Sequence, residues 1–252
     1  AKQIMNRKTL IALLAGLLAY IIFLIAKLPA EHLVSRVDLP DSLRIQDVSG
    51  TVWQGRIEQM SIQGIPVRAV QWQLSPWGLL TGKAVLDLQA GNIRNADELS
   101  LDGQVSLSMS AVGASNLDMY VPADLIIAQL PLPLPVNARG RFKVALQELD
   151  YARQCRSLEG QGQWLNAEVA GTQGYIALGN FDADLNCKAE SVLVNIKEPN
   201  SFGLSAQATI SPALDIRVSG RFKPAQELPQ EVHEAARLFG RPDSDGYYQI
   251  RL

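Results

Sequence analysis

The feature that most constrains this chain is an uncharged apolar run near its N-terminus. Residues Thr9–Ala26 read TLIALLAGLLAYIIFLIA. Basic residues flank the run, namely Lys2, Arg7, Lys8 and Lys27. A run of 18 residues without a charge reaches the lower range of lengths for a helix that spans a bilayer. It is longer than the apolar core of most signal peptides and no small-x-small cleavage pattern follows it, so the sequence favours an uncleaved anchor over a cleaved signal.

The charges around this run predict which side of the membrane each segment occupies. Basic residues before the run favour an N-terminus left in the cytoplasm, with everything after Lys27 on the far side. The sequence therefore predicts a cytoplasmic tail over 1–8, a transmembrane anchor over 9–27, a connector over 28–42 and an exported domain over 43–252. After the run, 20 basic residues stand against 25 acidic ones, a net charge of −5. This balance argues against nucleic acid as a partner, because phosphate binding needs clustered positive charge.

A period of two dominates the sequence after the connector. Apolar residues alternate with polar or small ones at Phe142, Val144 and Leu146, and again from Tyr175 to Cys187. Such alternation is typical of strands with one apolar and one wet face. Long stretches with a helical period are missing between these segments, which argues against alternating strands and helices. We therefore predict a mainly β protein, in which a single transmembrane helix precedes one antiparallel domain, either a large curved sheet or a partly open sandwich.

Two short helices are expected to interrupt the strands. Asp124–Leu130 lies between two prolines, and Pro229–Phe239 combines a proline at the first helical position with apolar residues at helical spacing. Gly240 is expected to take the left-handed conformation that ends this second helix. The Leu-Pro run over 130–135 should be extended, and it allows the domain to be subdivided near 130–136.

The only two cysteines of the chain are Cys155 and Cys187. In an exported domain they predict one disulfide, which would close a 32-residue separation worth roughly 3–4 kcal/mol on a chain-entropy estimate. The alternative is a pair of unbonded buried thiols. A metal site is disfavoured because neither histidine, His32 or His233, is close to either cysteine in the sequence.

No credible catalytic constellation is present in the sequence. Both histidines are expected at the surface, and there is no nucleophile elbow, P-loop or zinc-protease motif. Asp182 and Asp184 share one strand face that could hold a cation, but their position opposite the apolar face favours plain solvent exposure. We therefore predict no enzyme activity, no metal and no cofactor.

Two blocks stand out from the alternating background. The first, Gly50–Gly55, reads GTVWQG, and the second, Trp72–Gly82, reads WQLSPWGLLTG. Physically they predict strands with tight turns and large aromatic side chains packed at a sheet edge. The candidate structural residues within them are Gly50, Thr51, Trp53, Gly55, Trp72, Pro76 and Gly82.

Together with the anchor, the cysteine pair and the stretch from Leu238 through Gly240 to Ile250, these blocks resemble the N protein of the type II (general) secretion pathway. The resemblance extends over nearly the whole chain. It implies a single-span inner-membrane protein with a periplasmic β domain and no catalytic residues. The role it implies is a part in the machine that exports folded proteins across the outer membrane of Gram-negative bacteria. The strand edges of the domain and the short connector lead us to expect that it acts through protein contacts and meets inner-membrane secretion components first.

A second and fainter similarity links this layout to envelope proteins of the AsmA type, which are associated with holding lipid in an apolar groove. A sheet whose apolar face lacks a covering layer would form such a groove. Lipid is therefore the alternative partner, although the two sequence blocks favour the secretion role. A closed sandwich with a dry core would favour an assembly module, and an open apolar trough would favour lipid handling.

Overall fold

The chain after the connector forms one antiparallel sheet. The computed structural model describes residues 7–31, 43–62, 64–128, 136–213 and 215–251. Within these residues, 13 strands lie side by side in the order in which they occur along the chain. They are β1 Leu43–Gly50, β2 Gln54–Ile62, β3 Ile65–Ser75, β4 Ala84–Ala90, β5 Ser100–Leu107, β6 Val112–Pro122, β7 Ala138–Ala152, β8 Gln154–Gly171, β9 Gly174–Lys188, β10 Ser191–Lys197, β11 Ser205–Ile210, β12 Ile216–Phe222 and β13 Tyr248–Arg251. The predicted mainly β fold is confirmed, as a single sheet rather than a sandwich.

Within the described residues, the helices named after α1 are short. The named helices are α1 Arg7–Ala26, α2 Pro76–Leu80, α3 Ala123–Ile127 and α4 Gln230–Ala236, which continues as a 3₁₀ turn over Arg237–Phe239. Helices α3 and α4 confirm the two predicted helices. Helix α2 was not predicted, because one turn is too short to display a helical period. Within the described residues, none of the helices combines the length and the apolar character needed to cross a membrane, so the predicted span remains a prediction.

The Leu-Pro run over 130–135 lies entirely outside the described part of the chain. Strands β6 and β7, on either side of it, pair directly with each other, for example Val121 with Phe142. The subdivision near 130–136 remains a prediction.

One face of the sheet carries a continuous apolar row. Residues that are directly opposite each other on neighbouring strands have their side chains on the same face. From β5 to β13, such pairs connect one residue of each strand to one residue of the next. These are Leu101, Met119, Val144, Gly162, Ala183, Ile196, Ala206, Gly220 and Ile250. All of them except Ala206 are only half-buried. A second sheet packed on this face would bury such a row fully, and the described residues contain no second sheet.

The other face is polar and carries side-chain bonds between neighbouring strands. The Gln163 amide donates to the Asp182 carboxylate at 2.7 Å, and Asp184 forms an ion pair with Lys197. Both aspartates considered for a cation are therefore bonded to a neighbouring side chain. Among the described residues, no group of three or more His, Cys, Asp or Glu is placed to hold a metal ion.

The strand ends define two rims of the sheet. One rim carries the β1–β2 turn, helix α2, the β5–β6 hairpin and the β9–β10 hairpin, and we call it the helix-side rim because α1 contacts it. The other carries α3 and α4, and we call it the opposite rim. This assignment follows from the antiparallel order, in which every second connection returns to the same side.

The best-packed part of the molecule lies toward the opposite rim. Ala167, Leu178 and Phe181 form a buried cluster there. Aromatic rings continue from it with centroids 5.1 to 6.2 Å apart. This aromatic series consists of Phe142, Trp164, Phe181, Phe202 and Phe222, with Phe239 and Tyr248 both packed on Phe222. The Glu231 carboxylate attaches α4 to the β8–β9 hairpin by accepting the Thr172 N–H at 2.8 Å.

The disulfide prediction is confirmed. Cys155, near the start of β8, is bonded to Cys187, near the end of β9, with their Cα atoms 5.6 Å apart. Both residues lie at the helix-side rim, where the Cys155 N–H also donates to the Glu190 carbonyl at 2.9 Å. The bond therefore ties the β7–β8 turn to the β9–β10 hairpin.

Candidate functional site

The C-terminal end of α1 is bonded directly to the turn between β1 and β2. The indole N–H of Trp53 donates to the Ile25 carbonyl at 2.8 Å, and the Val52 N–H donates to the Leu28 carbonyl at 3.0 Å. Beside them Pro29 and Thr51 form a β-bridge. The last carbonyls of a helix lack partners within the helix, and the Ile25 carbonyl accepts the Leu28 N–H at 3.3 Å as well as the Trp53 indole. We call residues 25–29 and 51–53 the helix–sheet junction.

The second sequence block packs against the first. Trp72 pairs with Gly55 across β2 and β3, and its indole N–H donates to the Val52 carbonyl at 3.1 Å. Two residues further on, the Leu74 N–H donates to the Trp53 carbonyl at 2.7 Å. The structure thus brings together the two blocks that the sequence singled out, and it places both at the helix–sheet junction.

Two glycines allow this close packing. Gly50 has a φ of +91°, a conformation that favours glycine, as it enters the turn. A Cβ at Gly55 would overlap the Trp72 ring and would lie 2.7 Å from the Ser49 carbonyl oxygen. Glycine at position 55 is therefore what lets the tryptophan ring lie over the backbone of β2.

We expect Gly55→Ala to lower the free energy of unfolding by about 1–3 kcal/mol, because the added methyl group must displace the Trp72 ring. Gly162→Ala is the matched control, since its Cβ would meet only the Ala183 Cβ at 3.7 Å, an ordinary contact. Urea denaturation of both variants, followed by circular dichroism, measures the difference. Equal stability of the two variants would contradict this account of the junction.

Helix α2 begins where the second block leaves β3. Pro76 occupies its first turn, as its fixed φ allows, and the Gly78 carbonyl accepts the N–H groups of Thr81 and Lys83, both at 3.0 Å. Gly82 has a φ of +74° with open space around it. The apolar side chains of this segment are not packed on the sheet but exposed.

Gly240 lies far from the junction, at the opposite rim. Its φ is positive, as expected, but its ψ of −154° is extended, so the left-handed cap predicted for it is wrong. The 3₁₀ turn explains the difference, because it closes with the Gly240 N–H donating to the Arg237 carbonyl at 3.1 Å. Gly240 therefore leaves the helix with a positive φ but without the left-handed cap.

Asp243 shapes the turn before β13. Its carboxylate accepts the Tyr247 N–H at 2.8 Å and the Asp245 N–H at 3.1 Å. The Tyr247 bond is the main cause that holds the pKa of Asp243 below its ordinary value, outweighing desolvation, which raises it. Because its pKa is lower in the folded state, the ionised carboxylate of Asp243 stabilises the fold at pH values above its pKa in the unfolded chain. This stabilisation is lost as the pH falls through the pKa of the folded state.

Sequence reasoning did not find the aromatic series or the partner of the Trp53 indole. The rings of the series come from separate strands and loops, so no local pattern marks them as neighbours. The only sequence signal for the aromatic series was that Phe142 and Phe181 occupy apolar positions of their alternating stretches.

Comparison with known proteins identifies the relatives of this chain. A family model described as type II secretion system (T2SS), protein N, matches residues 41–251. The type II secretion system protein N of Vibrio cholerae serotype O1 is 29% identical over 227 residues, which is 89% of each chain. The protein of that name from Aeromonas hydrophila is 28% identical over 98% of each chain, and that from Klebsiella pneumoniae is 27% identical over 96% of this chain and 93% of its own. None of the solved structures matches the chain.

Proposed function

Because the chain belongs to the type II secretion system protein N family, we propose that it is a non-enzymatic component of that system, held at the inner membrane by α1 and acting through protein contacts of a periplasmic sheet. The family match, which covers the whole sheet, is the observation that carries this proposal. The resemblance read from the two sequence blocks is thereby confirmed at the level of the family.

The proposed anchor rests on the N-terminal sequence and on the exposure of its side chains. The run Thr9–Ala26 contains no charge, and basic residues precede it. From Leu13 to Ile25, the large apolar side chains expose between 44% and 60% of their surface on a helix that no other element covers within the described residues. Lipid is the surrounding that suits a helix that is apolar on all sides.

The proposed contacts use the two edges of the sheet. Within the described residues, β1 and β13 each pair on one side only, and an unpaired strand edge is a template for adding a strand from another protein. The helix–sheet junction holds β1 close to the end of α1. Components of the inner membrane are therefore the partners that this edge would meet first.

In-cell photocrosslinking tests this proposal. A photoreactive amino acid replaces the exposed Gln46 on β1, Arg251 on β13, or, as a control, the exposed Gln161 in the middle of the polar face. We expect secretion components to be captured from one or both edges and not from position 161. Capture of no secretion component from any position, in cells that secrete normally, would refute the proposal.

The half-buried apolar row supports a second candidate function, in which the apolar face holds the acyl chains of a lipid. The row runs over nine neighbouring strands, and the described residues contain no layer that covers it. The same crosslinker at Val144, in this row, distinguishes the candidates. Lipid captured at position 144, together with normal secretion but an altered outer membrane after deletion of the protein, would favour lipid handling over the secretion role.

A further inference from the structure

Exposed apolar side chains gather on the segment that follows β3. Trp77 exposes 77% of its surface, Leu79 exposes 44% and Leu80 exposes 79%. No charged residue occurs from Ser75 to Gly82, and Lys83 follows directly. An apolar tip of this kind, with an exposed tryptophan, is unusual for a surface that faces only water.

The position of this tip relative to α1 is fixed by direct bonds. Helix α2 begins two residues after Leu74, whose N–H donates to the Trp53 carbonyl, while the Trp53 indole donates to the Ile25 carbonyl near the end of α1. One strand pair further along the same rim, the β5–β6 hairpin exposes Met109 completely. Neighbouring strands lie about 4.8 Å apart, so the α2 tip lies within a few strand widths of the point where α1 ends.

We propose that the tip of Trp77, Leu79 and Leu80 enters the lipid interface beside α1 as a second membrane contact of this protein. The inference rests on the proposed anchor, because it takes the end of α1 as the level of the membrane surface. Tryptophan is enriched at that level since its ring is apolar and its N–H is polar, and the ammonium group of Lys83 can reach anionic headgroups while its stem lies along the apolar tip.

The occupant we infer is lipid rather than a protein partner because of where the tip lies. The end of α1 and the apolar tip share one rim, and the exposed side chains of the tip belong to the connection between β3 and β4 rather than to the apolar face of a strand. Two contacts on one rim would also fix the direction of the strands. The sheet would stand with its helix-side rim on the membrane and its opposite rim away from it.

Depth measurements with spin labels on the full chain test this inference. Single cysteines are introduced by Leu80→Cys in the tip, Leu238→Cys at the opposite rim and Leu17→Cys within α1, which are 79%, 62% and 56% exposed. Both native cysteines are occupied by their disulfide, so the nitroxide label reacts with the introduced thiol. The labelled proteins are placed in vesicles of phosphatidylethanolamine and phosphatidylglycerol. Accessibility to oxygen reports lipid, and accessibility to a nickel chelate reports water.

We expect the oxygen-to-nickel accessibility ratio at position 80 to exceed that at position 238 several-fold and to approach that at position 17. A water-like ratio at position 80 with a lipid-like ratio at position 17 would overturn the inference and leave the anchor intact. Low accessibility to both reagents at position 80 would also overturn it, because that result reports burial against protein. A water-like ratio at position 17 would instead refute the anchor itself, and the inference would fall with it.

Discussion

Phe181→Ala should lower the free energy of unfolding by about 3–5 kcal/mol, the typical cost of removing a buried aromatic side chain. Phe181 exposes only 7% of its surface. Its ring lies 5.5 Å from that of Trp164 and 6.0 Å from that of Phe202, so it joins two strands to the loop after β10. The sheet has few other large side chains this well buried among its described residues.

Trp77→Ala is the control for this experiment. It removes a larger side chain than Phe181→Ala does, but that side chain is 77% exposed, so we expect a change within about 0.5 kcal/mol. Urea denaturation of both full-length variants in detergent, followed by circular dichroism, gives the comparison. If Phe181→Ala lowers the free energy of unfolding no more than Trp77→Ala does, the aromatic series does not stabilise the fold.

Replacing both cysteines, Cys155→Ser with Cys187→Ser, should lower the free energy of unfolding by roughly 3–4 kcal/mol, since the unfolded chain then regains the freedom that the cross-link removes. For a chain of this length, each kcal/mol corresponds to roughly 2–4 °C in Tm. The loss should therefore appear as a fall of about 6–16 °C in a thermal scan of the double variant.

Reduction of the native protein is the internal control for this second prediction. A thiol reductant should lower the Tm of the native chain to that of the double variant and should leave the double variant unchanged. The disulfide joins strand ends at the helix-side rim, far from the aromatic series, so its loss and that of Phe181 should add. A double variant with the same Tm as the native protein would contradict a stabilising role for the disulfide.

Much of the fold could be predicted from the sequence because its signals are local. Alternation along Tyr175–Cys187 predicts a strand, since a period of two places every second side chain on one face, and β9 covers Gly174–Lys188. The proline and the apolar spacing of Pro229–Phe239 likewise predicted α4 and the turn after it. Helix α2 was not predicted, because a single turn leaves no period to detect. The left-handed cap predicted for Gly240 was wrong, because no period in the sequence reports a ψ angle.

The candidate site could be predicted only as two separate blocks. Gly50–Gly55 and Trp72–Gly82 were recognisable by composition, but nothing local shows that Trp72 lies over Gly55 or that the Trp53 indole bonds to Ile25. Those contacts depend on the register of β2 against β3 and on the path of the chain between α1 and β1. A shift of one residue in that register would turn the Trp72 ring to the other face of the sheet.

The sequence by itself determined the strand content, the apolar run, the cysteine pair and the family, because each depends on neighbours along the chain or on an ordered set of short motifs. Only the tertiary structure decided that the 13 strands of the described residues form one sheet in chain order. It also decided that five rings, from Phe142 to Phe222, meet near one rim and that α1 ends on the β1–β2 turn. These features join residues far apart in sequence, and which of many possible partners each residue meets is set by the pairing of the whole sheet, not by any local pattern.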